Sequence, residues 1–194
     1  MAVKAVVGHA DHPTIGRHMT PHADIDGRIG QGWGGTSPNG AHVNVVLARR
    51  ATPTAAALMT AFTSPAPGHT PVLVCVGPDQ PSYEAVVPPT IMMNKATATE
   101  ERHQTITWGA AQLGLGQGVL DAVADGLLAA DLDTIVFFAV WIDVAAADET
   151  AVRHAARAAA RQSIGEAVEG PAPEAVERLV RERDTLANPF YAGA

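Results

Sequence analysis

The residue with the clearest chemical potential is His42, which lies at a boundary between two kinds of sequence. Residues 30–40 are rich in glycine and proline and predict a loop, whereas residues 41–48 are apolar and β-branched and predict a strand. Because imidazole titrates near neutral pH, a histidine at the mouth of a strand is well placed to transfer a proton. A lone histidine in such a position is more often structural than catalytic, so a functional interpretation of His42 needs companion residues.

Three further polar residues could act together with His42. Lys95 and Thr97 close a second strand-like run at residues 90–97, and Gln112 follows on a predicted helix. Taken singly, Lys95 would be a surface lysine and Gln112 a polar helix residue. Their significance therefore depends on their occurring together in one chain.

The composition of the 194-residue chain narrows the class of protein. The net charge is −7, the pI is about 5.5 and no basic stripe appears, so nucleic acid is not expected as a partner. No apolar run approaches the roughly 20 residues that cross a bilayer, and no signal-peptide pattern opens the chain. The single cysteine, Cys75, excludes an internal disulfide and is predicted to be a buried strand residue. We therefore expect a cytoplasmic protein with no membrane partner.

Apolar periodicity and capping residues predict intermixed strands and helices. Thr52 can cap a helix over residues 52–62, and Asp148 can cap an Ala/Arg-rich helix. The wholly apolar run at residues 71–76 predicts a short strand buried on both faces. The other predicted elements are a loop at 77–89, a strand at 90–97, a helical stretch from 99 or 100 to about 128, a strand at 134–144, a helix at 148–168 and a final helix at 173–184.

These elements predict an α+β fold. Strands and helices intermix without the regular rhythm of a doubly wound sheet, which favours a two-layer sandwich. We divide the chain into a His-rich N-terminal arm at residues 1–27, an α+β domain at 28–170, and a C-terminal helix and tail at 171–194. Histidines and carboxylates in the arm could bind zinc, but their spacing matches no closed zinc site, so no metal is expected.

Two repeated patterns have ordinary explanations. Glycines at 114, 116 and 118 have the spacing of a dinucleotide loop, but they lie inside a predicted helix with no strand just before them. Close packing of that helix against a neighbour explains them better. Arginines at 153, 157 and 161 share one helix face, which predicts a solvated face or a subunit contact.

Five ordered motifs carry more information together than any one of them. They are Gly40-Ala41-His42-Val43-Asn44-Val45-Val46, Gly68-His69-Thr70-Pro71-Val72-Leu73-Val74, Met93-Asn94-Lys95-Ala96-Thr97, Trp108-Gly109-Ala110-Ala111-Gln112 and Asp121-Ala122-Val123-Ala124-Asp125-Gly126. With the strand at 136–143 and the tail Asn188-Pro189-Phe190, they resemble the formaldehyde-activating enzyme family in order and spacing. The resemblance runs from about residue 28 to residue 168, about three quarters of the chain.

This resemblance implies a reaction, a fold and an assembly. The family condenses formaldehyde with tetrahydromethanopterin, a reduced pterin co-substrate, to give methylene-tetrahydromethanopterin and water. Its fold resembles the second domain of ribosomal protein S5, and it usually assembles as a homopentamer with sites between subunits. The resemblance therefore implies a carbon–oxygen lyase that forms a homo-oligomer and binds small molecules without a metal.

The resemblance also implies roles for individual residues. The family's proton-donating histidine falls on His42, and its pterin-contacting positions fall on Asn44, Leu73, Lys95, Thr97 and Gln112. A pterin nitrogen attacks formaldehyde to give a carbinolamine, and loss of water from that adduct needs a proton on the departing hydroxyl. His42 is expected to supply this proton, while the polar residues bind the amide-like edge of the pterin and Leu73 contacts its face.

Differences from the family motifs keep alternatives open. The family has aspartate where this chain has Asn44, which keeps the shape and hydrogen bonding but loses the charge. Trp108 stands where the family has phenylalanine, which changes the wall of the pocket. A divergent member could therefore join an aldehyde to a different amine or pterin in specialised metabolism, or bind a pterin or one-carbon metabolite without turnover.

Overall fold

A five-stranded sheet forms the centre of the molecule, and the longest helix packs on one face of it. A two-stranded ribbon lies beside the sheet. The computed structural model describes residues 24–188. Its strands are β1 (Ile29–Gly34), β2 (Ala41–Arg49), β3 (Pro71–Leu73), β4 (Cys75–Val76), β5 (Glu84–Ala85), β6 (Thr90–Asn94) and β7 (Thr134–Ile142). Its helices are α1 (Pro53–Thr63), α2 (Glu101–Thr105), α3 (Gln112–Ala124), α4 (Glu149–Glu169) and α5 (Pro173–Arg181), with a π-helical turn at Ile106–Ala111 and 3-10 turns at Gln80–Ser82 and Arg183–Thr185.

The sheet is mixed, with the strand order β1-β2-β7-β6-β3. β6 and β7 are parallel, whereas the other neighbouring strands are antiparallel. α4 packs against β1, β2 and α3, so the helices form a second layer over one face of the sheet. This arrangement confirms the predicted α+β class, and the finer likeness to the ribosomal protein domain stays a prediction.

β2 places alternate side chains on the two faces of the sheet, as the two-residue period of a strand requires. Ala41, Val43 and Val45 are fully buried on the face that α4 covers. His42 and Asn44 therefore project from the opposite face, and both are half-buried. We call that opposite surface the open face; level with His42, it carries Trp33 of β1 and Trp141 of β7.

α1 and α4 begin where their capping residues predict. The Thr52 hydroxyl accepts a hydrogen bond from the Ala55 N–H, and the Asp148 carboxylate accepts one from the Ala151 N–H. Each bond satisfies a backbone donor that the first turn of a helix leaves without a partner. The predicted starts of both helices are therefore confirmed.

The stretch at residues 30–40 is not the loop that its composition predicts, because β1 occupies most of its first half. Alternate residues of β1 are glycine and lie directly beneath α4, where a Cβ atom would overlap a backbone carbonyl oxygen of the helix. The three glycines are Gly30, Gly32 and Gly34, and the oxygens belong to Ser163, Ala159 and Ala155 respectively. The glycines allow the helix and the strand to approach closely. Because glycine-rich sequence usually indicates a loop, the composition of this segment did not predict a strand.

The apolar run at residues 71–76 does not form the single, doubly buried strand that its sequence predicts. β3 ends at Leu73, which is 42% exposed at the edge of the sheet, whereas Val74 is fully buried. The chain then leaves the sheet, and β4 pairs with β5 inside the predicted loop at 77–89. Cys75 is consequently half-buried rather than buried. The edge position is the reason, since β3 has a neighbouring strand on one side only.

Several predicted elements end earlier than their sequence patterns indicate. The strand predicted to reach residue 97 ends at Asn94, the helix predicted to reach about 128 ends at Ala124, and the strand predicted to reach 144 ends at Ile142. Gly126, with a φ of 75°, closes α3 through backbone hydrogen bonds from Gly126 and Leu127 back into the helix. Such a glycine termination overrides the apolar pattern that continues beyond it.

Two of the repeated glycines, Gly114 and Gly118, face α4, whereas Gly116 packs against valine side chains of the strand region. A Cβ atom at Gly114 would overlap the backbone of α4, so the packing explanation of these glycines is confirmed. The arginines make contacts within the chain but stay partly exposed, so their role as a solvated face or a subunit contact stays a prediction. Arg157 lies 2.6 Å from Asp121, and Arg161 lies 2.7 Å from Asp125. These ion pairs join the two helices along their exposed edge.

The end of the predicted N-terminal arm packs against the core. Ile25 is 3% exposed and belongs to the hydrophobic core. The Asp26 carboxylate accepts hydrogen bonds from the Arg49 N–H and the Thr52 hydroxyl. The arm's last residues are therefore part of the folded unit, and residues 1–23, with all the histidines of the arm, lie outside the described residues.

α5 is the last α-helix of the described residues, and it is shorter than the predicted helix at 173–184. None of its residues is buried, and its apolar side chains Val176, Leu179 and Val180 are 43%, 44% and 62% exposed. Pro189 and Phe190 of the predicted tail lie outside the described residues. Neither α5 nor another helix within residues 24–188 combines the length and the apolar character needed to cross a membrane.

Candidate functional site

His42 and Lys95 meet on the open face of the sheet. The Lys95 Nζ lies 3.0 Å from the His42 Nδ1, although the two residues are 53 positions apart in the sequence. The parallel pairing of β6 with β7 produces this contact, because the Lys95 N–H donates to the Val140 carbonyl oxygen. Lys95 thereby lies beside Trp141, which is the cross-strand neighbour of His42.

Two tryptophans surround His42. The Trp33 ring centroid lies 6.2 Å from that of His42 and 6.1 Å from that of Trp141. Sequence reasoning missed both tryptophans, since Trp33 lay in a predicted loop and Trp141 in a predicted strand of unknown register. Both tryptophans are cross-strand neighbours of His42, so they could have been predicted if the pairing of the strands were known. The sequence does not give this pairing.

The His42–Lys95 pair carries one positive charge at neutral pH, and the charge lies on Lys95. Burial lowers the pKa of Lys95 from 10.5 to about 8. Burial, and then the charge of Lys95, lower the pKa of His42 below its ordinary value of 6.5. Lys95 is therefore mainly an ammonium at pH 7, and it donates to a neutral His42. Within residues 24–188, no carboxylate lies within ion-pair distance of Lys95.

Asn94 fixes the turn that carries Lys95. Its side chain is 3% exposed; the Nδ2 donates to the carbonyl oxygens of Gly68 and Ala96, and the Oδ1 accepts from the Thr70 N–H. A buried amide with these partners cannot turn away without leaving polar groups unpaired. The sequence analysis included Asn94 in a motif but did not predict that it positions Lys95. The signal that was available is a polar residue at the end of an apolar strand.

The remaining residues predicted near the pterin are spread around this pair. Asn44 lies two residues from His42 on the same face of β2. Leu73 lies on β3 at the far edge, three strand spacings or roughly 14 Å from β2. Thr97 is exposed in the loop after β6, with its hydroxyl against Gly68. One chain thus brings His42, Asn44 and Lys95 together and leaves Leu73 at a distance.

Gln112 lies in the helical layer, away from the open face. Its Oε1 accepts a hydrogen bond from the Cys75 N–H, and its Nε2 donates to the Trp108 carbonyl oxygen. It borders two grooves of about 410 and 480 Å³, whose linings include neither His42 nor Lys95. Gln112 therefore lies on a different side of the single chain from His42, Asn44 and Lys95.

A π-helical turn at Ile106–Ala111 directly precedes Gln112 and carries Trp108. Such wide turns inside helices are frequent at functional sites. The Trp108 side chain borders both grooves, and its buried Nε1 has no hydrogen-bond partner among the described residues. An indole is larger than the phenylalanine of the family motif, so Trp108 changes the shape of both groove walls.

The other described histidines have structural surroundings. The His69 ring contacts the Asn94 carbonyl oxygen at 2.8 Å, and the buried His103 ring contacts the Ile142 carbonyl oxygen at 3.1 Å. His154 is exposed and contacts Arg153. No group of three His, Cys, Asp or Glu side chains within residues 24–188 is placed to hold a metal ion. Among the described histidines, His42 is the half-buried one whose ring contacts a lysine.

Comparison with known proteins identifies a family. Residues 29–191 match the family model described as formaldehyde-activating enzyme. The chain is 30% identical over 165 residues to 5,6,7,8-tetrahydromethanopterin hydro-lyase of Methanosarcina barkeri, covering 84% of this chain and 89% of that protein. It is 27% and 26% identical to proteins named bifunctional enzyme Fae/Hps from Methanococcoides burtonii and Methanosphaera stadtmanae. Those matches cover 82% and 84% of this chain but 39% of each bifunctional protein.

Proposed function

The chain belongs to the formaldehyde-activating enzyme family, and from this membership we propose that it condenses formaldehyde with tetrahydromethanopterin to methylene-tetrahydromethanopterin and water. The observation that carries the proposal is the 3.0 Å contact between Lys95 and His42, a proton source and a proton carrier on one surface. The name of the Methanosarcina barkeri relative supports both the reaction and the co-substrate.

The condensation needs a proton at one defined atom. A pterin amine attacks the formaldehyde carbon, and the carbonyl oxygen becomes the hydroxyl of a carbinolamine. That hydroxyl leaves as water once it is protonated, and the resulting iminium closes onto the second pterin nitrogen. We assign the protonation to His42, which can release a proton from Nε2 while it takes one from Lys95 at Nδ1.

The reduced pterin needs a polar wall and an apolar surface. We assign Asn44, Thr97 and Gln112 to hydrogen bonds with its amide-like edge and Leu73 to contact with its ring face. Lys95 lies beside the reacting nitrogen, because it contacts the proton carrier His42. In binding both reactants, the site also contributes to rate through proximity.

We assign the protein to a homo-oligomer, specifically a homopentamer with sites between subunits. The separation of Gln112 from His42 supports this assignment, because a second copy can bring one chain's helical layer to another chain's open face. The exposed apolar side chains of α5 and the 46% exposed Trp33 supply surface for such contacts. Native mass spectrometry of the full chain tests it: a mass five times that of one chain is expected, and a monomer at micromolar concentration would contradict it.

The activity is tested by mixing full-length protein with formaldehyde and tetrahydromethanopterin. We expect methylene-tetrahydromethanopterin to form at least about 10²-fold faster than in the spontaneous reaction, which is the lower end of general-acid catalysis. Absorbance of the pterin follows the reaction. A rate equal to the spontaneous one would overturn the proposal, and tight binding without acceleration would instead indicate a binding protein.

A different amine or reduced pterin as acceptor is the second candidate. Trp108 favours it, because it borders both grooves and replaces the smaller phenylalanine of the family motif, which changes the shape of the wall. Asn44 points the same way, since it lacks the charge of the family's aspartate. A higher kcat/KM with tetrahydrofolate than with tetrahydromethanopterin would support this candidate. A lower kcat/KM with tetrahydrofolate would exclude tetrahydrofolate as the preferred acceptor.

The catalysed rate is expected to fall as the pH rises through about 8, the pKa of Lys95. The sign follows from the charges: below this pKa the Lys95–His42 pair holds a proton to donate, and above it the pair is neutral. His42 is the titratable group in contact with Lys95 in the described part of the chain, and its lowered pKa keeps it neutral throughout this range. A pH–rate profile corrected for the spontaneous reaction checks this, and a flat profile between about pH 7 and about pH 9 would contradict it.

A further inference from the structure

We propose that Lys95 is a catalytic nucleophile, whose amine captures formaldehyde as a covalent iminium before the carbon passes to the acceptor amine. The proposal rests on the condensation proposed above and adds a step to it. It assigns to Lys95 a bond to the reacting carbon, beyond the hydrogen bond that a binding lysine would offer. The chemical class that such a site captures is a small, unhindered aldehyde.

The placement of Lys95 favours bond formation over charge pairing. A lysine that serves as a charge is usually paired with a carboxylate or extended into solvent, whereas Lys95 is half-buried and has no carboxylate in ion-pair reach within residues 24–188. Its Nζ instead contacts the Nδ1 of His42. Nucleophilic lysines are characteristically activated by such desolvation.

The contact with His42 produces a nucleophile and an acid in one step. Transfer of a proton from the Lys95 Nζ to the His42 Nδ1 leaves a neutral amine beside an imidazolium. Burial favours release of the lysine proton, because it lowers the pKa of Lys95 to about 8. At pH 7 about 10% of such an amine is already free, compared with well under 0.1% for an ordinary lysine.

Capture of formaldehyde then proceeds with all atoms accounted for. The Lys95 nitrogen forms a bond to the formaldehyde carbon, the C=O π pair moves to oxygen, and a proton shifts from nitrogen to that oxygen. The carbinolamine C–O bond breaks as the nitrogen lone pair forms the C=N bond. The oxygen leaves as water with the proton of the His42 imidazolium, and the positive charge stays on the Lys95 iminium.

Transfer to the acceptor restores the enzyme. The acceptor amine bonds to the iminium carbon, its proton moves to the Lys95 nitrogen through His42, and the bond between Lys95 and the carbon breaks. The carbon remains as an iminium of the acceptor, whose second nitrogen closes the ring and releases a proton. That proton returns Lys95 to the ammonium form, so the sum is one formaldehyde and two N–H groups giving one methylene bridge and water.

The composition of the chain makes this step directly measurable, because it contains only two lysines, Lys4 and Lys95. The full-length protein is treated at pH 7 with formaldehyde and sodium cyanoborohydride, without pterin, and the N-methylation of each lysine is followed by peptide mass spectrometry. We expect Lys95 to be methylated at least about 10-fold faster than Lys4, in view of its larger free-amine fraction. Equal rates, or faster modification of Lys4, would overturn the proposal.

Two controls separate capture by the folded site from ordinary amine reactivity. In concentrated urea the preference for Lys95 is expected to disappear, because unfolding removes the burial that lowers the pKa of Lys95. In His42→Gln the methylation of Lys95 is expected to fall at least about 10-fold, since water leaves the carbinolamine without its acid, while that of Lys4 is unchanged. An undiminished preference for Lys95 in urea, or an unchanged rate of Lys95 methylation in His42→Gln, would contradict the role of the Lys95–His42 pair.

The trapping experiment and the condensation assay fail independently. Selective methylation of Lys95 with no pterin condensation would keep the captured iminium and reject tetrahydromethanopterin as acceptor. Condensation without selective methylation would keep the proposed function and reject the covalent step. When both succeed, adding the reduced pterin is expected to lower methylation of Lys95 but not of Lys4, because the acceptor removes the trapped carbon.

Discussion

His42→Ala is expected to lower kcat for the formaldehyde condensation by about 10²–10⁴-fold, the range typical of losing a well-placed general acid. Without the imidazole, the carbinolamine hydroxyl has no protein proton donor, and the proton of Lys95 has no carrier to it. The KM for the reduced pterin is expected to change much less, because the polar edge of the pterin is assigned to other residues. Steady-state rates, corrected for the spontaneous reaction, measure both quantities.

His154→Ala is the matched control for this variant. His154 is exposed on α4 beside Arg153, on the side of the sheet away from the open face. Its kcat is expected to equal that of the wild type, and the thermal unfolding of both variants is expected to stay close to wild type. A His42→Ala enzyme with unchanged kcat would remove His42 from the reaction, and equal losses in the two variants would indicate general damage.

Gly32→Ala is expected to lower the free energy of unfolding by at least about 2 kcal/mol, as overpacking of a tight contact does. Its Cβ would overlap the Ala159 carbonyl oxygen and lie 2.9 Å from the Ser163 nitrogen. Both are backbone atoms of α4 and cannot rotate away, so β1 must separate from the helix. Urea unfolding followed by circular dichroism measures the loss.

Gly109→Ala provides the matched control for the Gly32 variant. A Cβ at Gly109 meets nothing within 4 Å, and the residue lies in a helical turn where alanine is favoured over glycine. The free energy of unfolding is therefore expected to be unchanged or higher. If Gly32→Ala proved as stable as the wild type, the close approach of β1 and α4 would not depend on glycine.

Local signals predicted the elements whose ends depend on nearby residues. Thr52 and Asp148 accept capping bonds from residues three positions on, so their effect is visible in a short window of sequence. The alternation of Ala41, Val43 and Val45 likewise predicts β2, because burial of one face imposes a two-residue period. These predictions needed no knowledge of which elements touch.

β1 was missed because its stabilising contacts are distant in the sequence. Glycine has a low intrinsic preference for strands, and alternate glycines leave no apolar face to recognise. The reason for the glycines is the backbone of α4, more than a hundred residues further along the chain. The same problem hid Trp33, which became a neighbour of His42 only through the pairing of β1 with β2.

For the candidate site too, the sequence and the tertiary structure supply different information. The resemblance to the family assigns six residues to the site, which are His42, Asn44, Leu73, Lys95, Thr97 and Gln112. The motifs do not reveal the grouping: the order of strands puts Lys95 against His42, and the helical layer keeps Gln112 elsewhere. The lowered pKa of Lys95 is also a property of the fold, because burial causes it.

The sequence by itself determined the family, the α+β class and the residue types of the candidate site, since motifs and periodicities are local and ordered along the chain. Only the tertiary structure decided that a lysine and a histidine 53 residues apart lie within 3.0 Å of each other. The physical reason is that a two-residue period states which side chains share a face of one strand, whereas strand order and register depend on contacts between distant segments.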